Sequence, residues 1–285
     1  MSRRAHAATP WLYLFPAAVI LGTFSIAAAF QVLYYSCTRF NAFTPATFAG
    51  LSNYTRALAS ERFWSCLLNS VLYLAVTPAI IVVSLLAAIA IDAKLRGMAY
   101  LRIALFLPVV TPGIVASLAW RVLLDEDSGL INRSLGSLGV PAINWLTEHP
   151  FTLVSAMLVT LWKGFGFYMM IFLAGLAGVP ASLREAAAID GAGPFRTFTS
   201  VTLPALKPSI ALVAVVSSIS ALKVFEEVFV TLRGVPTNQL TMVPLIYRVA
   251  FEEGEYGLAS ALGLLLFVVV LAFSLINLRM GRANA

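Results

Sequence analysis

Apolar residues run almost without interruption through six stretches of the chain: Trp11 to Tyr35, Cys66 to Ile91, Ile103 to Leu124, Phe151 to Ala177, Ile210 to Leu232 and Tyr256 to Ile276. Each is about 20 residues or longer, enough for an α-helix to cross a hydrocarbon layer of about 30 Å. None alternates with a period of two, as the roughly ten-residue strands of a membrane barrel do. The connections are polar or rich in Gly and Pro. The pattern predicts an all-α, polytopic membrane protein, a single transmembrane domain over residues 1–285 with six helices and both termini on one side.

Composition strengthens that reading. Hydrophobic residues make up 60% of the chain and charged residues 11%, against roughly 45–50% and 25% in soluble domains. A soluble core does not account for such an excess. Orientation follows from Lys and Arg near the ends of the runs. With cytoplasmic termini, that side carries Arg3, Arg4, Lys94, Arg96, Arg102, Arg184, Arg196, Lys207, Arg279 and Arg282, and the other carries Arg39, Arg56, Arg62, Arg121, Arg133, Arg233 and Arg248. The balance of 10 to 7 favours cytoplasmic termini. The net charge of +6 therefore reports topology, the expected surroundings are a lipid bilayer, and no nucleic-acid partner is expected.

Arg3 and Arg4 ahead of an apolar run resemble a secretion signal, but the run exceeds the 7–15 residues typical of a signal core. Its removal would also leave an odd number of spans. Cys37 and Cys66 both fall on the predicted outer side, where either a disulfide or two separate thiols would be acceptable. With only His6 and His149, at opposite predicted faces, no haem or metal site is expected.

The loop from Gly178 to Pro208 has helix punctuation of its own. Ser182, with Glu185 three residues on, has the spacing of a capping box and predicts a helix starting at Ser182. Ala186, Ala187 and Ala188 favour its continuation, and Gly191 suits the left-handed turn that ends a helix. Pro194 fits the first turn of a second helix running to about Val201, with Leu203-Pro204 as its stop. Phe195 and Phe198, three apart, would share one face, with Arg184, Glu185, Asp190 and Arg196 around the turn. Such a hairpin outside the bilayer serves either as a docking element or as an amphipathic hairpin resting on headgroups.

Glu185-Ala186-Ala187, Gly191 and Val201-Thr202-Leu203-Pro204 resemble the EAA loop of permease subunits in binding-protein-dependent ABC importers. The likeness extends from about Trp11 to Leu278 and is nearest to the carbohydrate-uptake branch, which includes the maltose and glycerol-phosphate permeases. Further matching stretches are Gly50-Leu51-Ser52-Asn53-Tyr54, Leu107-Pro108, Trp120, Gly129-Leu130-Ile131-Asn132, Trp162-Lys163, Leu173-Ala174-Gly175-Leu176 and Ala188-Ile189-Asp190-Gly191-Ala192. The resemblance implies a cell-membrane subunit that moves a sugar or related polar solute by alternating access. It also implies that Glu185, Ala186, Ala187, Asp190, Gly191, Phe195, Phe198, Leu203 and Pro204 couple it to an ATPase. The implied partners are a second permease, an ABC ATPase dimer and an extracytoplasmic solute-binding protein. ATP and Mg would sit on the ATPase, because this chain has no Gly-x-x-x-x-Gly-Lys-Ser/Thr loop and no cofactor is expected on it.

Lys163, Lys223, Glu226 and Glu227 are the ionisable residues deep within the predicted spans, and charges there are functional candidates by default. On a continuous helix Lys223 would meet Glu226 or Glu227 one turn on. The group is then either a structural ion pair near the outer interface or part of a wet solute pathway shared with Tyr168. The chain departs from the carbohydrate branch at Thr231-Leu232-Arg233-Gly234-Val235-Pro236, where a Thr-Gly-Gly-Gly-Pro stretch is usual, which predicts a stiffer outer loop. Ala259 and Gly263 form a small-x-x-x-small pair suited to packing within the subunit. Two rival readings remain: an ion-coupled secondary transporter using the intramembrane charges, and an intramembrane enzyme, for which no nucleophile elbow or paired metal carboxylates are found.

Overall fold

The computed structural model describes residues 13–41, 43–93 and 97–283. Readings that involve Arg3, Arg4, His6, Trp11, Lys94 and Arg96, and the side chains of Arg279 and Arg282, lie outside what it describes. In chain order the helices are α1 Tyr13–Ser36, α2 Ser52–Ala59, α3 Glu61–Tyr73, α4 Val76–Asp92, α5 Met98–Val110, α6 Gly113–Leu123, α7 Leu130–Ser137 and α8 Phe151–Ala177. There follow α9 Ala181–Ile189, α10 Pro194–Ala205, α11 Lys207–Leu222, α12 Glu226–Thr231, α13 Met242–Tyr247 and α14 Tyr256–Ala283. A short antiparallel hairpin pairs β1 Thr38–Arg39 with β2 Thr47–Phe48.

Four helices are long and apolar enough to cross a membrane, α3 and α4 counting as one, and the number rises to six if two bent pairs each form a span. Each bend has a local cause. Between α5 and α6 the chain turns by 98°, because Pro112 forces Thr111 out of the helical region, to ψ 129°. The third apolar run, expected as one helix over Ile103 to Leu124, is therefore two. Between α10 and α11 the turn is 64°, at Leu206, just ahead of Pro208. At Leu74-Ala75 the missing N–H of Pro78 leaves the Leu74 carbonyl to accept from Thr77 instead.

The fifth run also breaks, without Gly or Pro to mark the place. α11 ends at Leu222, and Phe225, at φ −129° and ψ −67°, separates it from α12. The expectation of one helix over Ile210 to Leu232 fails there. Lys223 consequently leaves the helix face of Glu226 and Glu227.

The chain forms two compact units. One comprises the described residues up to Ser60 with Ile246–Val268. In it, buried Asn53 donates to the carbonyls of Ser36 (2.9 Å) and Thr38 (2.8 Å), and Tyr54 donates to Ser36 Oγ at 2.8 Å. These bonds tie α2 to the hairpin and give the Gly50-to-Tyr54 stretch a structural role. Ala259 is buried, whereas a Cβ on Gly263 would meet open space. The packing expected of that pair is therefore not formed.

The other unit runs from Glu61 to Leu245 with the chain after Val268. α8 is its hub, packed against α3, α4, α5, α6, α11 and α12. Tyr73, Ile80, Val159, Met169, Phe172 and Val213 lie fully buried around it. Where α5 crosses α8, a side chain on Gly166 would strike the Leu105 carbonyl, so glycine sets how closely the two backbones approach.

Candidate functional site

Two polar regions of the second unit hold the residues singled out from the sequence. The first is the hairpin that follows α8. α9 starts at Ala181, behind Pro180, and no side chain caps it. The capping box expected of Ser182 and Glu185 is absent, since Pro180, at ψ 130°, turns the chain into the helix and Pro-driven geometry replaces the cap. The end of α9 is as expected. Gly191 takes φ +76°, and the bonds Ala192 N–H to Ala187 O (2.9 Å) and Gly191 N–H to Ala188 O (3.1 Å) close a Schellman turn.

Pro194 opens α10, but Pro204 does not stop it. Pro204 lies in the first turn of a regular stretch that follows a π-helical segment, Phe198–Thr202, and the helix continues to Ala205. Phe195 and Phe198 do not form one exposed face either. Phe195 is 80% exposed, whereas Phe198 turns into a groove of about 360 Å³ shared with Asp92, Leu176, Arg184 and Thr202. Phe195 and Phe198 lie about 60° apart around a regular α turn, and only the Phe198 side meets the groove; the π turn comes after them. The exposed apolar surface is instead Leu183, Ile189 (86%) and Phe195, flanked by Glu185, Ala186 and Asp190. Ala187 and Leu203 are half-buried and Pro204 is exposed. Across the groove, Arg184 meets Asp92, at the end of α4, at 3.5 Å.

The second region lies inside the bundle, in a cleft of about 280 Å³ lined by Thr160, Lys163, Tyr168, Ser217, Ser220 and Glu227 among others. Lys163 Nζ lies 3.4 Å from Glu227 Oε1, with the two side chains only 24% and 16% exposed. Tyr168 and Ser220 both line the cleft, and Tyr73 Oη lies 2.7 Å from Thr160 Oγ1. Glu226 joins the group from the side: a Cβ on Gly113 would collide with its carboxylate and sit 2.8 Å from Lys163 Nζ. Lys163 is thus flanked by two carboxylates. The pairing runs between α8 and α12, not along the fifth run, and Lys223 is exposed outside this cleft.

Of the intramembrane candidates, the structure brings together Lys163, Tyr168, Glu226 and Glu227 and leaves Lys223 apart. It adds Thr160, Ser217, Ser220 and Gly113, and it adds Asp92 to the hairpin. Ser217 and Ser220, three apart in an apolar run, were a readable sign of a polar helix face. Asp92 and Gly113 gain their places only through tertiary contact. Cys37 and Cys66 are not joined in a disulfide, and Cys66 donates to the Thr237 carbonyl at 3.1 Å.

Within the second unit an apolar helical bundle is followed by a hairpin that turns at Gly191. Residues 66–282 match the family described as binding-protein-dependent transport system inner membrane component, and the chain belongs to that family. It is 32% identical over 274 residues to the trehalose/maltose transport system permease protein MalF of Thermococcus litoralis, covering 95% of this chain and 93% of that one. It is 34% identical over 260 residues to the diacetylchitobiose uptake system permease protein NgcF of Streptomyces coelicolor, covering 86% and 74%. Among solved structures it resembles a chain of a bacterial ABC transporter involved in the import of the acidic polysaccharide alginate. There the TM-score is 0.82 at 21% identity, over 96% and 95% of the two chains, a likeness of fold. A chain of a bacterial alginate ABC transporter in complex with an alginate pentasaccharide-bound periplasmic protein is likewise similar in fold, with a TM-score of 0.80 at 21% identity, over 96% and 94% of the chains.

Proposed function

We propose that this chain forms half of the transmembrane pathway of an ATP-driven importer for a sugar or related polar solute. Family membership carries the reading, and the relatives named above are permeases for disaccharides. In this reading the bent pair α5–α6 counts as one span and α11, without the hairpin arm α10, as another, giving six, with both termini on the cytoplasmic side together with the hairpin. A second permease, an ATPase dimer and an extracytoplasmic binding protein complete the assembly, and ATP and Mg are held by the ATPase.

The hairpin is the coupling element. Leu183, Ile189 and Phe195 present apolar surface with acidic Glu185 and Asp190 beside it, which suits a protein cleft better than anionic headgroups. Glu185, Ala186, Ala187 and Asp190 form the first arm and Gly191 the hinge. Phe195, Phe198, Leu203 and Pro204 belong to the second arm. Lys163, Tyr168, Glu226 and Glu227 line the solute pathway at mid-bundle, and Lys223 lies on its margin.

The deciding experiment is uptake into vesicles that carry the assembled transporter and are loaded with ATP but have no ion gradient. ATP-dependent uptake is expected. Uptake that needs an ion gradient and ignores ATP would establish secondary transport instead.

A further inference from the structure

At the end of α8 opposite the hairpin, a second cleft of about 340 Å³ opens between the α6–α7 turn, the residues leading into α8, and the loop after α12. Its polar lining is Arg121, Asp125, Glu126, Asp127, Thr147 and Arg233. One wall is held firmly. Glu126 Oε1 accepts from Thr147 Oγ1 (2.6 Å) and from the Leu146 N–H (3.2 Å), and Asp125 Oδ1 accepts from the Ser128 N–H (2.8 Å) and hydroxyl (2.6 Å). Asn132 braces the same wall, accepting from Trp145 Nε1 at 2.9 Å and donating to the Glu126 carbonyl at 3.0 Å. The facing wall is the Arg233-to-Pro236 loop, where Val235 is buried.

Two guanidinium groups and three carboxylates therefore line one small cleft, yet among the described residues no ion pair joins them. The opposite charges largely cancel across the cleft and leave one net negative charge, so a strong anion is disfavoured and no strong field selects a charged solute. A neutral polyhydroxylated molecule satisfies both kinds of group, because each hydroxyl donates to carboxylate oxygens and accepts from guanidinium N–H groups.

The cleft also lies in line with the interior one. α6 packs along α12, with Gly113 beside Glu226 at one end and Arg121 donating to the Val230 carbonyl at the other. The eight steps from Gly113 to Arg121 span about 12 Å of helix.

We propose that this cleft is a mouth subsite for a neutral, hydroxyl-rich solute, one station outward of the Lys163–Glu227 cleft. The proposal rests on the reading of the chain as a solute pathway. Arg233 supplies the donor face and Asp127 supplies acceptors.

The test uses the assembled transporter, purified through this chain and held in lipid nanodiscs without the soluble binding protein. Saturation-transfer NMR titrations would use maltose and trehalose as neutral probes and glucuronate and glucosamine as charged ones. At least one neutral disaccharide should bind in preference to both charged probes. Arg233→Ala and Asp127→Asn should each weaken that binding by about tenfold, the scale of one hydrogen bond to a charged group. Neither side chain holds the fold together, so both variants should stay assembled. No bound neutral disaccharide, preference for a charged probe, or affinity unchanged in both variants would overturn the subsite. Weakening by Glu227→Gln alone would overturn it while leaving the interior pathway standing, and indifference to all three would remove both.

Discussion

The hairpin after α8 and the break after α11 both interrupt helices, yet they are determined in different ways. The hairpin turns where Pro180, Gly191 and Pro194 dictate, and its turn closes through its own backbone at Gly191. The break between Leu222 and Glu226 contains no such residue, and its result is a contact elsewhere, Glu227 with Lys163 of α8. One interruption is a local property of the chain and the other a property of the folded bundle. Substitutions should therefore act on the first through backbone geometry and on the second through charge.

The largest effect is expected at Gly191. Proline cannot adopt φ +76°, so Gly191→Pro should reduce coupled uptake to background and abolish ATPase co-purification while the subunit still inserts. Normal coupling in that variant would remove the role assigned to the hairpin.

Lys163→Met should come next, since it leaves the Glu227 carboxylate in the cleft without its partner. With partners 24% and 16% exposed, the loss should be about 2 kcal/mol, below the roughly 3–5 of a fully buried pair. Thermal unfolding in detergent measures it. Lys163→Met with Glu227→Gln should regain part of the loss, whereas Lys223→Met should have little effect. A larger effect at Lys223 would mean that the pairing follows the helix after all.

Phe195→Ser separates docking from stability. The side chain is 80% exposed, so unfolding should shift by less than about 0.5 kcal/mol while ATPase retention on a pull-down falls. A variant that loses stability and keeps its ATPase would contradict the surface described.

The smallest effect concerns pH. Hydrogen bonds from Ser128 hold the Asp125 carboxyl below its ordinary value of 3.8. A depressed folded-state value means that its stabilisation is fully present above the ordinary value and fades as pH falls below it. Asp125→Asn should flatten the acid limb of a stability curve slightly, and an unchanged limb would show that the turn forms without the charge.

The same division explains how much could be read from the sequence. Spans without interruption, the Gly191 turn and the Pro194 start were legible because each depends on the residues that form it. The bend at Thr111 was written in Pro112 but was obscured by the apolar run around it. The α11–α12 break was not legible, since only the position of Lys163 on another helix shows why Glu227 leaves the fifth run. The capping box failed for a related reason. Ser182 and Glu185 have the right spacing, but Pro180 had already set where the helix begins. Phe198 was misassigned because only tertiary packing, the groove it shares with Asp92 and Leu176, decides which side of the α10 turn is covered.

The bend at Leu206 has a mechanical meaning. Its side chain is fully buried, so the joint between α10 and α11 is anchored in the bundle while the arms on either side extend from it. α11 has 16 residues and is about 24 Å long, so a rotation of about 10° at this fulcrum would sweep its far end through about 4 Å. That travel is comparable to the 3.4 Å between Lys163 and Glu227. A tilt of that size at Leu206 would move the end of α11, after which the break at Phe225 leads to Glu227, by about the length of one ion pair.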